Sequence, residues 1–369
     1  MENLEINNLF GGIYKGRKVL VTGHTGFKGS WLIYWLHKLS AELFGLSLDS
    51  PTSPNHISLL NFPHVSYIQD INDKEKVFEI LQKVNPDIIF HLAAQPLVRF
   101  SYEEPVITYL TNIMGTVNVL EAARSLSNLK AIIVITSDKC YENKEWIWGY
   151  RENDVLGGKD PYSASKACVE LIVSSYRFSY FNAESYNNKH HVLLASVRAG
   201  NVIGGGDWAA DRIIPDIIRS TVENKYTILR NPMATRPWQH VLEPLSGYLT
   251  LGWKLLEGKK EFANSWNFGP NYCNNVTVLN LVLESQKHWN KIKYRMDKNK
   301  QPHEAEFLML DSSKAIKLLN WEPIWDFGMT VKYTIDWYKE YYENGHLITD
   351  DTINNYIKDS KSKHVAWNH

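Results

Sequence analysis

The stretch Lys18-Val19-Leu20-Val21-Thr22-Gly23-His24-Thr25-Gly26-Phe27-Lys28-Gly29 decides the fold. Its first five residues are centred on the apolar run Val19-Leu20-Val21 and include three β-branched side chains, Val19, Val21 and Thr22. Three glycines then follow with the spacing GxxGxxG. An apolar helical pattern continues through Trp31, Leu32, Trp35, Leu36 and Leu39. The order reads as strand, tight turn and helix. Glycine at 23 permits the turn, and glycine at 26 lets backbone N–H groups approach a pyrophosphate. Glycine at 29 lets the helix pack closely on the sheet, with phosphates at its positive end. The first step is one residue longer than in the common dinucleotide fingerprint. Gly23, His24, Thr25, Gly26, Phe27, Lys28 and Gly29 are therefore candidate cofactor-binding residues.

Downstream, strand-like runs alternate with helical patterns. The runs are Leu43–Leu48, Val65–Ile68, Asp87–Leu92, Ile132–Ile135 and Val192–Val197. One helical pattern passes through Val77, Ile80 and Leu81, and a longer one covers roughly 106–124. This alternation predicts an α/β fold with a doubly wound parallel sheet. The rhythm breaks beyond Arg198, where Gly204-Gly205-Gly206 precede Asp207-Trp208. The expected organisation is a dinucleotide-binding domain over 1–198, with segments returning near 240–270. A smaller mixed lobe over 199–345 follows, then a C-terminal helix and frayed tail over 346–369. Residues 1–16 read as a short extension.

Composition narrows the function. The 369 residues are 44% hydrophobic and 22% charged, as in an ordinary globular protein. Lys+Arg and Asp+Glu both total 40, which argues against a dedicated nucleic-acid or anionic-membrane binder. Cys140, Cys168 and Cys273 are scattered and odd in number, so they suggest neither a disulfide framework nor a metal site. The start Met1-Glu2-Asn3-Leu4-Glu5 has no leader pattern, and no apolar run is long enough to span a bilayer. A cytoplasmic protein is expected.

Two further segments carry chemistry. Tyr162-Ser163-Ala164-Ser165-Lys166 follows Pro161, which marks a helix start. Four residues apart, the phenol and the ammonium share a helix face. A free phenol titrates near ~10, so a working value near ~7 needs about 4 kcal/mol. One cation at about 4 Å supplies about that much at an effective dielectric near 20. Lys166 is the expected cation. The strand Ile132–Ile135 ends in Thr136-Ser137-Asp138-Lys139, and α/β proteins bind ligands at such strand ends. Ser137 can hydrogen-bond a substrate hydroxyl, while Asp138 and Lys139 add an acid and a base. Asp49, twenty positions after Gly29, either accepts both ribose hydroxyls of NAD or is a turn residue beside Ser50-Pro51.

In this order, glycine turn, polar strand end and YxxxK helix resemble the extended short-chain dehydrogenase/reductase superfamily. The resemblance implies NAD, with Asp70 and Ile71 at the adenine and Ala93 and Ala94 where the cofactor lies on the fourth strand end. Sugar-nucleotide 4,6-dehydratases carry hydroxyl–Asp–Glu after the fifth strand. Here Lys139 replaces the glutamate, the mark of the CDP-glucose 4,6-dehydratases. His91-Leu92-Ala93-Ala94-Gln95-Pro96-Leu97-Val98, Arg198-Ala199-Gly200-Asn201-Val202-Ile203-Gly204-Gly205-Gly206-Asp207-Trp208 and Arg236-Pro237-Trp238-Gln239-His240-Val241-Leu242-Glu243-Pro244 also match that family.

The family implies oxidation at C4 by Tyr162 and Lys166 with NAD, then loss of water across C5 and C6. Asp138 protonates the departing hydroxyl. Lys139 either removes the C5 proton or stabilises the enolate. The implied substrate is CDP-glucose, with Gln95, Asn201, Arg212, Arg236 and Trp238 as candidate contacts. Arg236 offers a fork for a diphosphate. Trp238 either stacks on the cytosine or packs between the lobes. The superfamily implies a homodimer or homotetramer built on the YxxxK helix.

Overall fold

The computed structural model describes residues 6–271, 275–297, 307–363 and 365–368. Cys273 lies outside the described residues. Seven parallel strands form the main sheet: β1 (Lys18–Thr22), β2 (Glu42–Ser47), β3 (Val65–Ile68), β4 (Ile88–His91), β5 (Ala131–Ile135), β6 (Leu193–Arg198) and β7 (Ser265–Asn267). Their order is β7-β6-β5-β4-β1-β2-β3. The chain steps one way from β1 through β3, then restarts on the other side of β1 with β4. That reversal opens a crevice at the carboxyl ends of β1 and β4.

Both faces of the sheet are covered by helices, which is why its strands are almost continuously apolar. The helices that matter here are α1 (Phe27–Lys38), α2 (Lys74–Val84), α3 (Gly115–Ala123), α4 (Pro161–Ser179), α5 (Leu242–Leu256), α6 (Phe327–Lys339) and α7 (Thr349–Ser360). Strand side chains alternate between layers. Val19 and Val21 join Trp31 and Trp35 of α1 and Leu245 and Leu249 of α5 in one layer. Leu20 joins Val77 and Leu81 of α2, Val119 of α3 and Val169 and Val173 of α4 in the other.

Local sequence sets where the helices begin. Pro161 opens α4, and the Asp160 carboxylate accepts from the Ser163 N–H at 2.9 Å. Such a cap contributes about 1 kcal/mol. The helix expected over 106–124 is interrupted. It runs as Pro105–Tyr109, a π turn over Leu110–Met114 and then α3. The extra residue of a π turn displaces the side chains around it. Asn112, within that turn, accepts from the Gln95 N–H at 2.8 Å and donates to Ser165 Oγ on α4 at 2.8 Å.

Beyond β6, short ladders replace long strands. Val202–Ile203 pairs with Gln239–His240, Thr235–Pro237 with Asn275–Thr277, and Thr227–Leu229 with Tyr294–Met296. The chain ends differ from the expected extension and frayed tail. Trp367 is fully buried, stacked on Phe10 at a centroid distance of 5.3 Å and on Tyr356 of α7 at 5.9 Å. The Phe10 N–H donates to the Trp367 carbonyl at 2.8 Å. The Glu243 carboxylate of α5 accepts from the Ile324 and Trp325 N–H groups and from the Tyr356 hydroxyl. Among the described residues, Phe10 near one end and Trp367 near the other are thus drawn into the core by long-range aromatic contacts that a polar local sequence conceals.

Replacing Trp367 with alanine should lower the unfolding free energy by about 3–5 kcal/mol, as for other buried aromatics. Denaturant melts of the variant check this. A change within error of zero would restore the frayed end.

Candidate active site

The glycine turn is fixed by close backbone approaches. Gly23 has φ +74°, and an ideal Cβ there would lie 2.7 Å from the Ala93 nitrogen. At Gly29 a Cβ would lie 2.1 Å from the Gly23 carbonyl oxygen. Gly26 differs. It has φ −78°, and a Cβ would meet only the Gly23 oxygen, at an ordinary 3.4 Å. The interior does not demand glycine at 26, so the demand comes from the open side, in front of α1. The first turn of α1 has no side-chain cap, so its N–H groups and helix dipole suit a phosphate. The site therefore fits a dinucleotide such as NAD.

The other cofactor-side candidates surround this turn. His24 Nε2 pairs with Ser66 Oγ at 2.8 Å, and Thr25 Oγ1 pairs with Ser47 Oγ at 2.7 Å. Their side chains brace the turn against the neighbouring strands. Thr25 also donates to the Leu48 carbonyl at 2.9 Å, one residue before the exposed Asp49. Asp70 Oδ1 accepts from the Asn72 N–H at 2.9 Å. Ile71 is buried against Gly115, where a Cβ would lie 2.4 Å from it. Ala93 and Ala94 are half-buried past the end of β4. Ala93 donates to Thr22 Oγ1 at 3.1 Å, and that hydroxyl also meets His91 Nδ1 at 2.7 Å.

Ser137, Asp138, Tyr162 and Lys166 come together at the end of β5. Asp138 is buried, its Oδ1 accepts from Ser137 Oγ at 2.9 Å, and its Oδ2 has no partner. A Cβ at Gly200 would lie 1.8 Å from that Oδ2. Glycine at 200 is therefore what makes room for the acid. Burial pushes the Tyr162 phenol up to about 12. Its hydrogen bond with Ser137 lowers it, Asp138 raises it and Arg212 lowers it. Arg212 is a protein cation acting on the phenol, and Lys166 Nζ donates to the Ile135 carbonyl at 3.5 Å. Lys139 is exposed, with Nζ 6.0 Å from the Tyr162 ring centroid. Dehydration of Lys139 is thus not supplied by the protein alone.

Lys28 reaches the same cluster. Burial brings its ammonium down to about 8, Arg212 and Lys166 push it the same way, and Asp138 opposes them. Lys28 thus stands among one carboxylate, Asp138, and two cations, Lys166 and Arg212. Arg212 is itself paired with Asp207 at 2.8 Å. The motif contains Asp207 and Gly200, but nothing local reveals that one orients Arg212 and the other seats Asp138.

The substrate-side candidates divide. Asn201 follows Gly200 in a left-handed conformation, φ +43°. Arg236 lies on a short strand and donates to the Thr235 carbonyl at 2.8 Å. Trp238 is buried in the core with its indole N–H on the Val276 carbonyl at 3.1 Å. It packs and does not present a stacking face. Gln95 is committed internally as well. Its amide N–H groups donate to Leu97 O at 3.1 Å and Thr108 Oγ1 at 2.9 Å, and its oxygen accepts from the Leu97 N–H. It staples its own loop.

Comparison with known proteins places this geometry. The family model for GDP-mannose 4,6 dehydratase matches residues 20–334. The chain is 51% identical to the CDP-glucose 4,6-dehydratase of Salmonella typhimurium, over 88% of this chain and 91% of that protein. Among solved structures, the UDP-glucose 4-epimerase of Thermotoga maritima with UDP-glucose superposes with a TM-score of 0.74 at 22% identity, covering 87% of this chain and 98% of that one. The Thermus thermophilus UDP-glucose 4-epimerase complex with NAD gives 0.73 at 21%, with the same coverage. The structural likenesses show the shared fold. With the family match running from β1 into α6, the chain belongs to the GDP-mannose 4,6 dehydratase family.

Proposed function

We propose that this protein converts CDP-D-glucose to CDP-4-dehydro-6-deoxy-D-glucose with NAD as its cofactor. Asp138 carries the reading. A sugar 4-epimerase needs only the phenol and a hydroxyl donor at this place. Loss of the C6 hydroxyl needs an acid as well. Asp138 is a buried carboxyl beside the phenol with one oxygen unpartnered. The 51% identity to a CDP-glucose 4,6-dehydratase supports the choice of substrate.

The glycine turn from Gly23 to Gly29 would hold NAD, which would supply the hydride chemistry at C4 and C6. Tyr162 takes the proton of the C4 hydroxyl, and Ser137 orients that hydroxyl. With its phenol near 12 before ligands bind, Tyr162 depends on positive charge gathered around it, from Arg212 and then from the oxidised cofactor. The C4 ketone acidifies the C5 proton. Lys139 takes that proton once substrate covers it and removes its water, or it holds the enolate charge as an ammonium. Asp138 delivers a proton to the departing C6 oxygen. Arg212, Arg236 and Asn201 face the diphosphate, and Asp49 holds the adenine ribose.

The assembly is a homodimer, or a homotetramer built from two dimers, in the cytoplasm. Its contact surface is an apolar face that α4 shares with the helix Pro105–Tyr109 packed on it. Phe178 is 70% exposed and Val106 67%, with Leu171, Ile107, Leu110 and Met114 exposed beside them. So many apolar side chains on adjoining helices need a partner surface.

Incubation with CDP-glucose and NAD should give a nucleotide sugar lighter by one water, read by mass spectrometry. An unchanged mass, with turnover of another nucleotide sugar, would move the substrate assignment.

In Asp138→Asn the overall rate should fall by at least about 100-fold, the scale of a lost general acid. Reduced cofactor and a 4-keto sugar should accumulate, visible by absorbance. A variant that never reduces its cofactor would place Asp138 in the first step.

Phe178→Glu combined with Leu171→Glu should yield monomers in sedimentation experiments, with the wild type dimeric or larger. An unaltered assembly would move the interface elsewhere.

A further inference from the structure

Glu170 lies one turn beyond Lys166 on α4, and the reaction as described makes no use of it. Only 3% of it is exposed. Three donors converge on its carboxylate. The Thr136 hydroxyl bonds Oε1, while Ser196 Oγ and the Arg198 guanidinium each bond Oε2 at 2.8 Å. Each donor has a meaningful place. Thr136 immediately precedes Ser137 and Asp138. Ser196 and Arg198 end β6, and Arg198 leads directly into Ala199 and Gly200, the residue seated against Asp138. One carboxylate therefore ties together the helix carrying Tyr162 and Lys166, the strand end carrying the acid, and the turn that makes room for the acid.

The same carboxylate has an electrical role. Arg198 is further engaged by the Tyr141 hydroxyl and by the Glu152 carbonyl at 3.0 Å. Lys166 Nζ has only the Ile135 carbonyl, at 3.5 Å, and no salt bridge among the described residues. Glu170 is its neighbour at i+4 on the same helix. The Asp138 carboxylate at the end of β5 acts with Lys166 on Lys28, and the remaining groups around Lys166 provide no anion. His91 on β4 is pushed down to about 3, first by burial and then by Lys166, and is neutral. The Cys140 thiol is pushed well up by burial and stays protonated. Lys28 on α1 is a second cation, and the Tyr162 phenol is raised. Burial brings Lys166 down to about 8, and Glu170 leads the groups that oppose the fall.

We propose that Glu170 is a positioning residue of this active site, clamping the ends of β5 and β6 to α4 and supplying the counter-charge that keeps Lys166 an ammonium. Its effect on rate rests on the proposed dehydratase function, but its effect on Lys166 does not.

Glu170→Gln keeps the shape and removes the charge. It also leaves Arg198 buried and unpaired, which can prevent folding. Glu170→Gln/Arg198→Met, which removes both charges, is therefore made alongside it. Ligand-free protein isotope-labelled at lysine Nζ is titrated by NMR, with the Lys166 signal assigned by its loss in Lys166→Met. Without Glu170 the ammonium gives up its proton more easily. Its midpoint should fall by about 1 pH unit in the single variant, and in the same direction in the double variant. With NAD and CDP-glucose, the alkaline limb of kcat/KM should move to lower pH with it. A folded variant with lowered Tm but a wild-type Lys166 midpoint and alkaline limb would overturn the proposal and make Glu170 packing alone. Wild-type protein that does not turn over CDP-glucose would sink the substrate reading, and the ligand-free titration would still decide the role of Glu170.

Discussion

The backbone of Gly29 rests on the carbonyl of Gly23 so closely that a single added carbon would sit 2.1 Å from its oxygen. This contact brings the start of α1 down onto the end of β1. It aims the uncapped N–H groups of α1 across the crevice between β1 and β4, where the strand order reverses. It also places Lys28, one residue earlier on the same turn, where it interacts with Asp138 and Lys166. The glycine turn and the cluster around Asp138 are therefore coupled through one tight approach of main chain to main chain.

The opposite wall of the site uses the same device. Gly200 yields to a carboxylate as Gly29 yields to a carbonyl. Asp138 can be buried because Ser137 satisfies one of its oxygens, while the other waits without a partner. An unpartnered buried polar atom is expensive in a folded protein. At a reaction centre it is the group a substrate would satisfy. Lys28 interacts with Asp138 and with two further cations, Lys166 and Arg212, a concentration of positive charge of the kind that suits an anionic ligand. Glu170 and Asp207 hold two elements of this cluster from behind, through buried or half-buried ion pairs with Arg198 and Arg212.

Much of the fold was legible because it is local. The apolar runs marked the first six strands of the sheet, and β7 entered only as a returning segment. Pro161 and Asp160 marked the start of α4. The π turn at Leu110–Met114 was not legible, because its purpose lies in bringing Asn112 to Ser165 and Gln95, residues far away in sequence. The buried Trp367 was missed for the same reason. The polar residues around it read as a tail, while Phe10, Trp35 and Tyr356 that enclose it come from three other segments.

The sequence by itself determined the strand–glycine–helix unit, the parallel alternation, the shared face of Tyr162 and Lys166, and the hydroxyl–acid–lysine run after β5. These follow from the 3.6- and 2-residue periods of the backbone and from what glycine and proline permit. Only the tertiary structure decided that Trp238 is core, that Gln95 is a loop staple, that Arg212 pairs with Asp207, and that Gly200 makes room for Asp138. Burial and pairing join residues tens to hundreds of positions apart, and their distances are set by packing, which no local pattern encodes.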